Sequence, residues 1–402
     1  MIHLVTWLPL QYQRTLCRTL AEAYGEAFVA WFAARADKEF PYSPDAHNLF
    51  VHHYLAEVGY GKFVSELRSD PAAVVILCGW SSPMTNRTLL LSALSGIPVF
   101  IWADHPHPRQ RSLPKKLVRK IFLNLLARKV SGFLACGKPT VEHLISLGIP
   151  ASKITNFPYW VDLPNEWGVP ERCLAEDATR QPLSLLGIGR HVPVKQFEVA
   201  IDAVALANAR AGTAVAELVL VGDGPERSSL EAHSQLVARS ASVRFTGWLH
   251  GEEILKRLRA SDALVLTSRF DPFGVVVLEA MASGRAVLAS AGVMAARDRD
   301  EGTGAVMIHP VGDVQRLAEQ ITSLASDREL LRQASLSSRA TAEKWPPARA
   351  VAIFDRLLQK TKRGRVLLGH RQSIEQDCES GAQRVRLDRE SLARQAVRTS
   401  GR

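Results

Sequence analysis

Short apolar runs alternate along this chain with longer stretches in which apolar residues recur every three or four positions. In the first half the runs predict strands at Met1–Trp7, Ala73–Cys78, Val99–Ala103 and Gly132–Cys136, each followed by a helical pattern. In the second half they predict strands at Leu183–Ile188, Glu217–Val221, Val243–Phe245, Ala263–Leu266, Ala286–Ala289 and Ala305–Ile308. Strands apolar on both faces and joined by helices belong to parallel sheets covered on both sides. Two such series predict an α/β protein of two Rossmann-like doubly wound domains, at 1–165 and 183–360. The stretch Asn156–Pro182 between them holds several prolines and no period, and its residues 166–182 are read as a linker. No internal repeat is visible, which excludes solenoids and propellers.

Composition narrows this picture. A chain of 402 residues with 47% apolar content can bury two cores and is not a disordered protein. Its five cysteines are scattered without CxxC or disulfide-like spacing, which fits a reducing, cytoplasmic setting. The N-terminal MIHLVTWLPLQYQR has no basic leader and no small-residue cleavage site, and reads as a first strand. The longest apolar runs fall well short of the roughly 20 residues of a membrane span, so a protein that is soluble or peripheral on the inner face of the membrane is expected.

The net charge of +10 suits anionic partners such as nucleotides, phospholipid surfaces or nucleic acid. From Thr361 to Arg402, 10 Lys and Arg stand against 5 Asp and Glu, a net of +5. This segment, 361–402, reads as a flexible, solvated tail, with an arm for a membrane or nucleic acid as the alternative. No nucleic-acid-binding module accompanies the charge, so nucleic acid is not an expected partner.

Ligands of open α/β sheets bind beyond the carboxyl ends of the strands, so the chemistry is sought there. After Leu183–Ile188 comes a glycine loop with Gly189, Arg190 and Lys195. Its cations could neutralise a departing diphosphate, or could be solvated residues of a plain turn. After Glu217–Val221 comes Gly222-Asp223-Gly224-Pro225, read chiefly as a structural strand-to-helix turn with Pro225 at the first helical position. After Ala263–Leu266 come Asp271, Phe273 and Gly274, with an apolar helix from about Val275. The N–H groups of Phe273, Gly274 and Val275 at that helix start would suit a phosphate. Glu279 stands alone in the apolar helix and needs a partner, for which ribose hydroxyls are suitable. The alternative makes Asp271 a helix cap and Glu279 an ion-paired core residue.

Four elements in order, GIGR…K, LVLVGDGPE, VRFTGWL and SRFDPFGVVVLEAMASGRAVLAS, resemble the family 4 retaining glycosyltransferases of the GT-B fold. The resemblance covers the chain from Leu183 to about Leu358. The earlier stretch GFLACGKPTVEHLISLGIPASKITNFPYWVD is similar to that family's approach to its interdomain linker. The resemblance implies a nucleotide-diphospho-sugar donor on the second domain, an acceptor on the first and an active site in the cleft between. It implies that Arg190 and Lys195 hold the diphosphate and that Glu279 binds the ribose. Phe273, Gly274 and Val275 would contact sugar and phosphate, and Gly247 and Trp248 would receive the base. Asp271 stands where the family usually has a glutamate near the donor sugar, one methylene longer. The first loop departs too: Leu8-Pro9-Leu10-Gln11-Tyr12 replaces the usual glycine pair.

On the acceptor side, Asp104 and His105 end the strand Val99–Ala103, and many family members have a functional His about there. Either could orient a hydroxyl or take its proton, and the sequence does not choose between them; a proline-rich polar turn is the alternative. The following basic segment with Lys115, Lys116, Arg119 and Lys120 predicts an amphipathic helix. It would either pack its apolar face on the sheet or lie on an anionic membrane surface. Asp298-Arg299-Asp300 matches Asp-x-Asp only as a string in a charged loop without neighbouring ligands, so no metal is expected. The expected activity is sugar transfer to a glycan or lipid-linked acceptor in bacterial envelope synthesis. The rivals are a non-catalytic nucleotide-sugar-binding subunit and an epimerase or hydrolase on the same fold.

Overall fold

The computed structural model describes residues 1–9, 11–35, 49–79, 82–107, 112–163, 182–237, 242–249 and 251–369. Thirteen strands are present among them: β1 (Ile2–Thr6), β2 (Phe28–Phe32), β3 (His52–Tyr54), β4 (Val74–Cys78), β5 (Val99–Ala103), β6 (Gly132–Ala135), β7 (Ile154–Asn156), β8 (Leu183–Ile188), β9 (Ala216–Val221), β10 (Val243–Gly247), β11 (Ala263–Leu266), β12 (Ala286–Ser290) and β13 (Val306–His309). The helices between and after them are α1 (Gln11–Tyr24), α2 (Leu55–Ser69), α3 (Pro83–Ser95), α4 (Leu113–Lys129), α5 (Lys138–Ser146), α6 (Phe197–Ala211), α7 (Arg227–Val237), α8 (Glu252–Ala260), α9 (Val276–Ala282), α10 (Met294–Arg299), α11 (Val314–Ser326), α12 (Arg328–Glu343) and α13 (Ala348–Leu358).

The strands form two sheets. The first has seven strands in the order β3-β2-β1-β4-β5-β6-β7, and the second six in the order β10-β9-β8-β11-β12-β13. Strand pairs such as β1–β2, β8–β9 and β11–β12 are parallel, as strands apolar on both faces require. Every residue of β1, β5, β11 and β12 is buried. In each sheet the order reverses beside the first strand of its series, β1 and β8, which is the switch point of a doubly wound fold.

By contact density the chain divides into two compact units, one of residues 1–9, 17–100 and 351 onward, the other of residues 11–16 and 101–350. In the first unit Tyr24 packs edge-on against Phe354 and its hydroxyl donates to Asp355 at 2.6 Å. Arg363 donates there to the carbonyls of Asp70 and Ser95. The second unit holds the second sheet with its α6 and α11 core, together with α4, α5, β6 and β7. The predicted linker lies outside the described residues except for Pro182, and the tail does so from residue 370.

Some sequence expectations need correction. Pro225 lies two residues ahead of α7, not at its first position. Asp298 belongs to the helix α10, not a loop: it is buried, ion-paired with Arg299, and accepts the amide of Lys138 at 2.6 Å. Its carboxylate is therefore used in holding α10 to the start of α5. Helix α4 does not lay its whole apolar surface on the sheet, as one of its two sequence readings had it. Leu123 and Ala127 are buried, but Leu117, Val118, Ile121, Phe122 and Leu125 face solvent.

Candidate functional site

The loops after β8 and β11 are sewn together. Thr267 Oγ1 donates to the carbonyls of Lys195 and Gln196 at 3.0 and 2.7 Å, and the Arg269 amide donates to Val194 O. Gln196 sits in the left-handed region (φ 48°), turning the chain into α6. This stitching brings Lys195 against Asp271: Nζ donates to Oδ2 at 2.6 Å. Asp271 is 8% exposed, and its own backbone is fixed at both ends. Its amide donates to Gly292 O, and its carbonyl accepts from Met294.

Glycines set the neighbouring loops in contact. A Cβ on Gly222 (φ 130°) would stand 2.0 Å from Gly189 O, so no other residue fits. The Gly222 amide donates to Gly247 O at 2.9 Å. The ends of β8, β9 and β10, which carry Gly189, Gly222 and Gly247, therefore meet backbone to backbone. Arg190 follows this junction directly, and Trp248 leaves it partly exposed. The GDGP turn also packs closely on this loop: a Cβ on Gly224 would meet His191 O at 2.4 Å.

Helix α9 begins at Val276, one residue later than expected, and no side chain caps it. Asp271 does not cap the helix, but its Oδ1 does accept from the Phe273 amide at 3.4 Å. That N–H is therefore already engaged, in contrast to the expectation of three vacant donors. Glu279 lies in the first turn of α9. Its carboxyl has no hydrogen-bond or ion-pair partner among the described residues. Burial alone lifts its pKa from 4.5 to about 7. The core ion pair offered as an alternative for Glu279 is absent among the described residues.

At the end of β5, Tyr159 donates its hydroxyl to Asp104 Oδ2 at 3.1 Å. The Tyr159 ring packs on Trp102 and edge-on against Phe273, with centroids 4.9 and 5.3 Å apart. Tyr159 thus joins the Asp104 loop to the loop that carries Asp271. Asp104 is open to solvent yet crowded by protein. Desolvation pushes its pKa up, the charge of Asp271 adds to the rise, and hydrogen bonds from Cys136 and Tyr159 work against it. His105 and His107 both pack on Phe270, with centroids 5.9 and 4.9 Å away. Burial lowers the His105 pKa, which favours its neutral ring near pH 7.

Of the predicted residues, the structure brings Asp104, His105, Lys195, Asp271 and Phe273 into one connected group. Gly189, Arg190, Gly247 and Trp248 lie around the glycine junction. Glu279 follows one turn beyond Gly274 and Val275. Sequence reasoning missed Tyr159, Phe270 and Thr267, whose parts depend on partners 55 to 165 residues away or on backbone contacts (Tyr159 to Asp104 and Phe270 to His105, for example). The only signal for Tyr159 was its place in the stretch leading to the linker. No cluster of three or more metal-ligating side chains is present among the described residues. Of the first loop, Leu8 is buried, while Leu10 lies outside the described residues.

Residues 182–327 match the family described as glycosyl transferases group 1. The chain is 29% identical over 281 residues to a D-inositol 3-phosphate glycosyltransferase of Geodermatophilus obscurus, covering 66% of this chain and 59% of that one. It is 30% identical over 146 residues to the lipopolysaccharide core biosynthesis glycosyltransferase LpsE of Rhizobium meliloti, covering 36% and 40%. The chain spans between 25% and 59% of the length of the first four such relatives. Among solved structures, Anabaena Alr3699/HepE in complex with UDP superimposes with a TM-score of 0.72 at 19% identity, over 90% of this chain and 100% of that one. A lipopolysaccharide outer core galactosyltransferase, WaaB, does so with 0.65 at 18% identity, over 89% and 98%. By its two parallel sheets and this likeness the fold is GT-B, and residues 182–327 resemble the group 1 glycosyltransferases.

Proposed function

We propose that this protein is a retaining glycosyltransferase that moves a sugar from a nucleotide-diphospho-sugar to an acceptor hydroxyl. The observation that carries the reading is Glu279, a half-buried carboxyl raised to about 7 with no hydrogen-bond or ion-pair partner among the described residues. It stands in the helix that follows the loop where Asp271 holds Lys195. A buried acid without a partner is costly, and two ribose hydroxyls would satisfy it. Lys195 and Arg190 would meet the diphosphate, with the backbone of Phe273, Gly274 and Val275 beside the sugar. Gly247 and Trp248 would border the base.

In the reaction, the bond from sugar C1 to the diphosphate oxygen breaks and its electron pair leaves with the diphosphate. The cations beside it stabilise that charge. The acceptor oxygen bonds to C1 from the same face, which retains the configuration. Its proton passes to Asp104, whose raised pKa makes it a stronger base than an ordinary carboxylate, with neutral His105 next to it. No metal is required by this scheme.

Relatives named for lipopolysaccharide core synthesis support envelope lipopolysaccharide, polysaccharide or glycolipid as the product class. The solvent-facing apolar ridge of α4, with Lys115, Lys116, Arg119 and Lys120 beside it, supports a site of action on the anionic inner face of a membrane. No described helix is long and apolar enough to cross one.

Thermal denaturation with UDP, GDP, ADP and their common sugars tests the donor reading. A nucleotide at about 100 times its dissociation constant stabilises the protein by about 2.7 kcal/mol. One nucleotide is expected to raise the Tm of the wild type but not of Lys195→Ala. No shift with any of them overturns the reading.

A further inference from the structure

The end of β5, the first half of α4 and α5 enclose a cavity of about 510 Å³. Its polar lining is Lys116, Arg119 and Lys120 from α4, with His105, His107, His143 and Ser146. Spacings of three and four residues place the three cations on one face of the helix. No lining residue is acidic. The nearby Glu142 of α5 is 3.9 Å from Arg297 instead. Lys116 and Lys120 have no carboxylate partner among the described residues, and α4 contains no acidic residue at all. Like charges gathered this closely repel one another, and an anion entering among them would relieve that repulsion.

We propose that this cavity binds a phosphoryl group carried by the acceptor. The inference rests on the glycosyltransferase reading for the word acceptor, and adds to it the acceptor's chemical class, a phosphate ester. Three cations and three imidazoles converging on one space suit a tetrahedral anion with several oxygens better than a carboxylate with two. A cavity of this size admits a head group and excludes a nucleic acid duplex. His105 joins the cavity to Asp104, so a phosphate held here places a hydroxyl of the same molecule beside the group that takes its proton. Leu117, 59% exposed, belongs both to the cavity lining and to the solvent-facing ridge of α4. The phosphate can therefore come from a water-soluble ester or from a lipid whose chains leave over that ridge.

Histidine ring signals in NMR of the full chain, labelled at Cε1 and assigned by single His→Gln variants, read the cavity directly. Inorganic phosphate is added in one arm, and dihexanoyl phosphatidic acid in a second, with dihexanoylglycerol as its uncharged control. Saturable movement of the His105 and His143 signals is expected, with its loss in Lys116→Ser/Lys120→Ser. Both lysines are solvent-exposed, and the other histidine signals report that the variant is folded. Response to inorganic phosphate supports a soluble ester, and response to the phosphatidic acid alone supports a lipid. No movement in either arm, or equal movement in the variant, overturns the proposal. UDP, GDP and ADP added to the same samples read the donor site separately. A nucleotide response without a phosphate response sinks only this inference, and the converse sinks only the donor reading.

Discussion

Lys195 Nζ donates to Asp271 Oδ2 at 2.6 Å, although the two stand 76 positions apart in the chain. The pair has two consequences. It holds Lys195 in place before any ligand arrives, and it is the one ion pair of Asp271 among the described residues. Lys195→Ala removes both the anchor for a diphosphate and the partner of a buried carboxylate. Activity should fall at least roughly a hundredfold, about 2.7 kcal/mol of barrier. Stability should fall by about 1–3 kcal/mol, the cost of stranding a buried charged acceptor. Adding Asp271→Asn should recover stability and leave activity low. Steady-state kinetics and denaturant melts separate the two effects, and near-normal turnover by Lys195→Ala would remove this residue from the site.

Glu279 gives a pH dependence of definite sign. Its folded pKa, about 7, lies above its ordinary value of 4.5, so the native state binds the proton more tightly than the unfolded chain. Stability from this group is present below pH 4.5 and is lost as pH rises through about 7. Glu279→Gln carries no such charge. It should match the wild type near pH 4 and exceed it above pH 7 by at most about 3 kcal/mol. Nucleotide binding should run the other way, because ribose hydroxyls donate to the ionised form. Wild-type affinity should weaken as pH falls through about 7, and the Gln variant should bind weakly with a flat profile. Calorimetric titration across that range checks it, and a flat wild-type profile would refute the assignment.

Tyr159 acts on Asp104 rather than on substrate. Its hydroxyl lowers the Asp104 pKa against the larger effect of desolvation. Tyr159→Phe keeps the packing on Trp102 and Phe273 and deletes the bond to Asp104, worth about 1 kcal/mol. The acid limb of the kcat profile should therefore move to higher pH, with turnover at neutral pH reduced several-fold. Asp104→Asn should abolish the limb and lower kcat by roughly 10²–10⁴. A Tyr159→Phe enzyme with lower kcat and an unmoved profile would show a structural role alone.

The sequence pattern carried ten of the thirteen described strands and missed β2, β3 and β7. β5, β8 and β11 fall on their predicted residues because both faces are apolar and a helix follows each. β3 and β7 are edge strands of three residues, HHY and ITN, with no alternation to detect. β2 is fully buried, yet FVAWF follows α1 with only a three-residue 3-10 turn between, and its apolar run merges with the helical pattern. In the site, Glu279 was legible because a lone acid in an apolar helix stands out in one dimension. Tyr159 was not, since its importance arises from packing between distant loops. The ridge on α4 was half legible: its residues were visible, and which of them face water depends on where Leu123 and Ala127 are buried.

That ridge supports the last prediction. Leu117, Ile121 and Leu125 follow one another at four-residue steps, with Val118 and Phe122 alongside, and all five are exposed. Lys115 and Arg119 flank them, and Arg128 and Lys129 end the helix. An apolar strip edged by cations matches the boundary between anionic head groups and acyl chains, and each cation near such a surface contributes about 1 kcal/mol. Replacing Lys115, Lys116, Arg119 and Lys120 by Ser should weaken binding to anionic vesicles by roughly a hundredfold or more, and added salt should mimic the change. Ile121→Ser/Phe122→Ser should weaken it by about tenfold or more with little salt dependence, since apolar burial carries that part. Both are read by cosedimentation with phosphatidylglycerol vesicles. If neither variant differs from the wild type, α4 does not face a membrane.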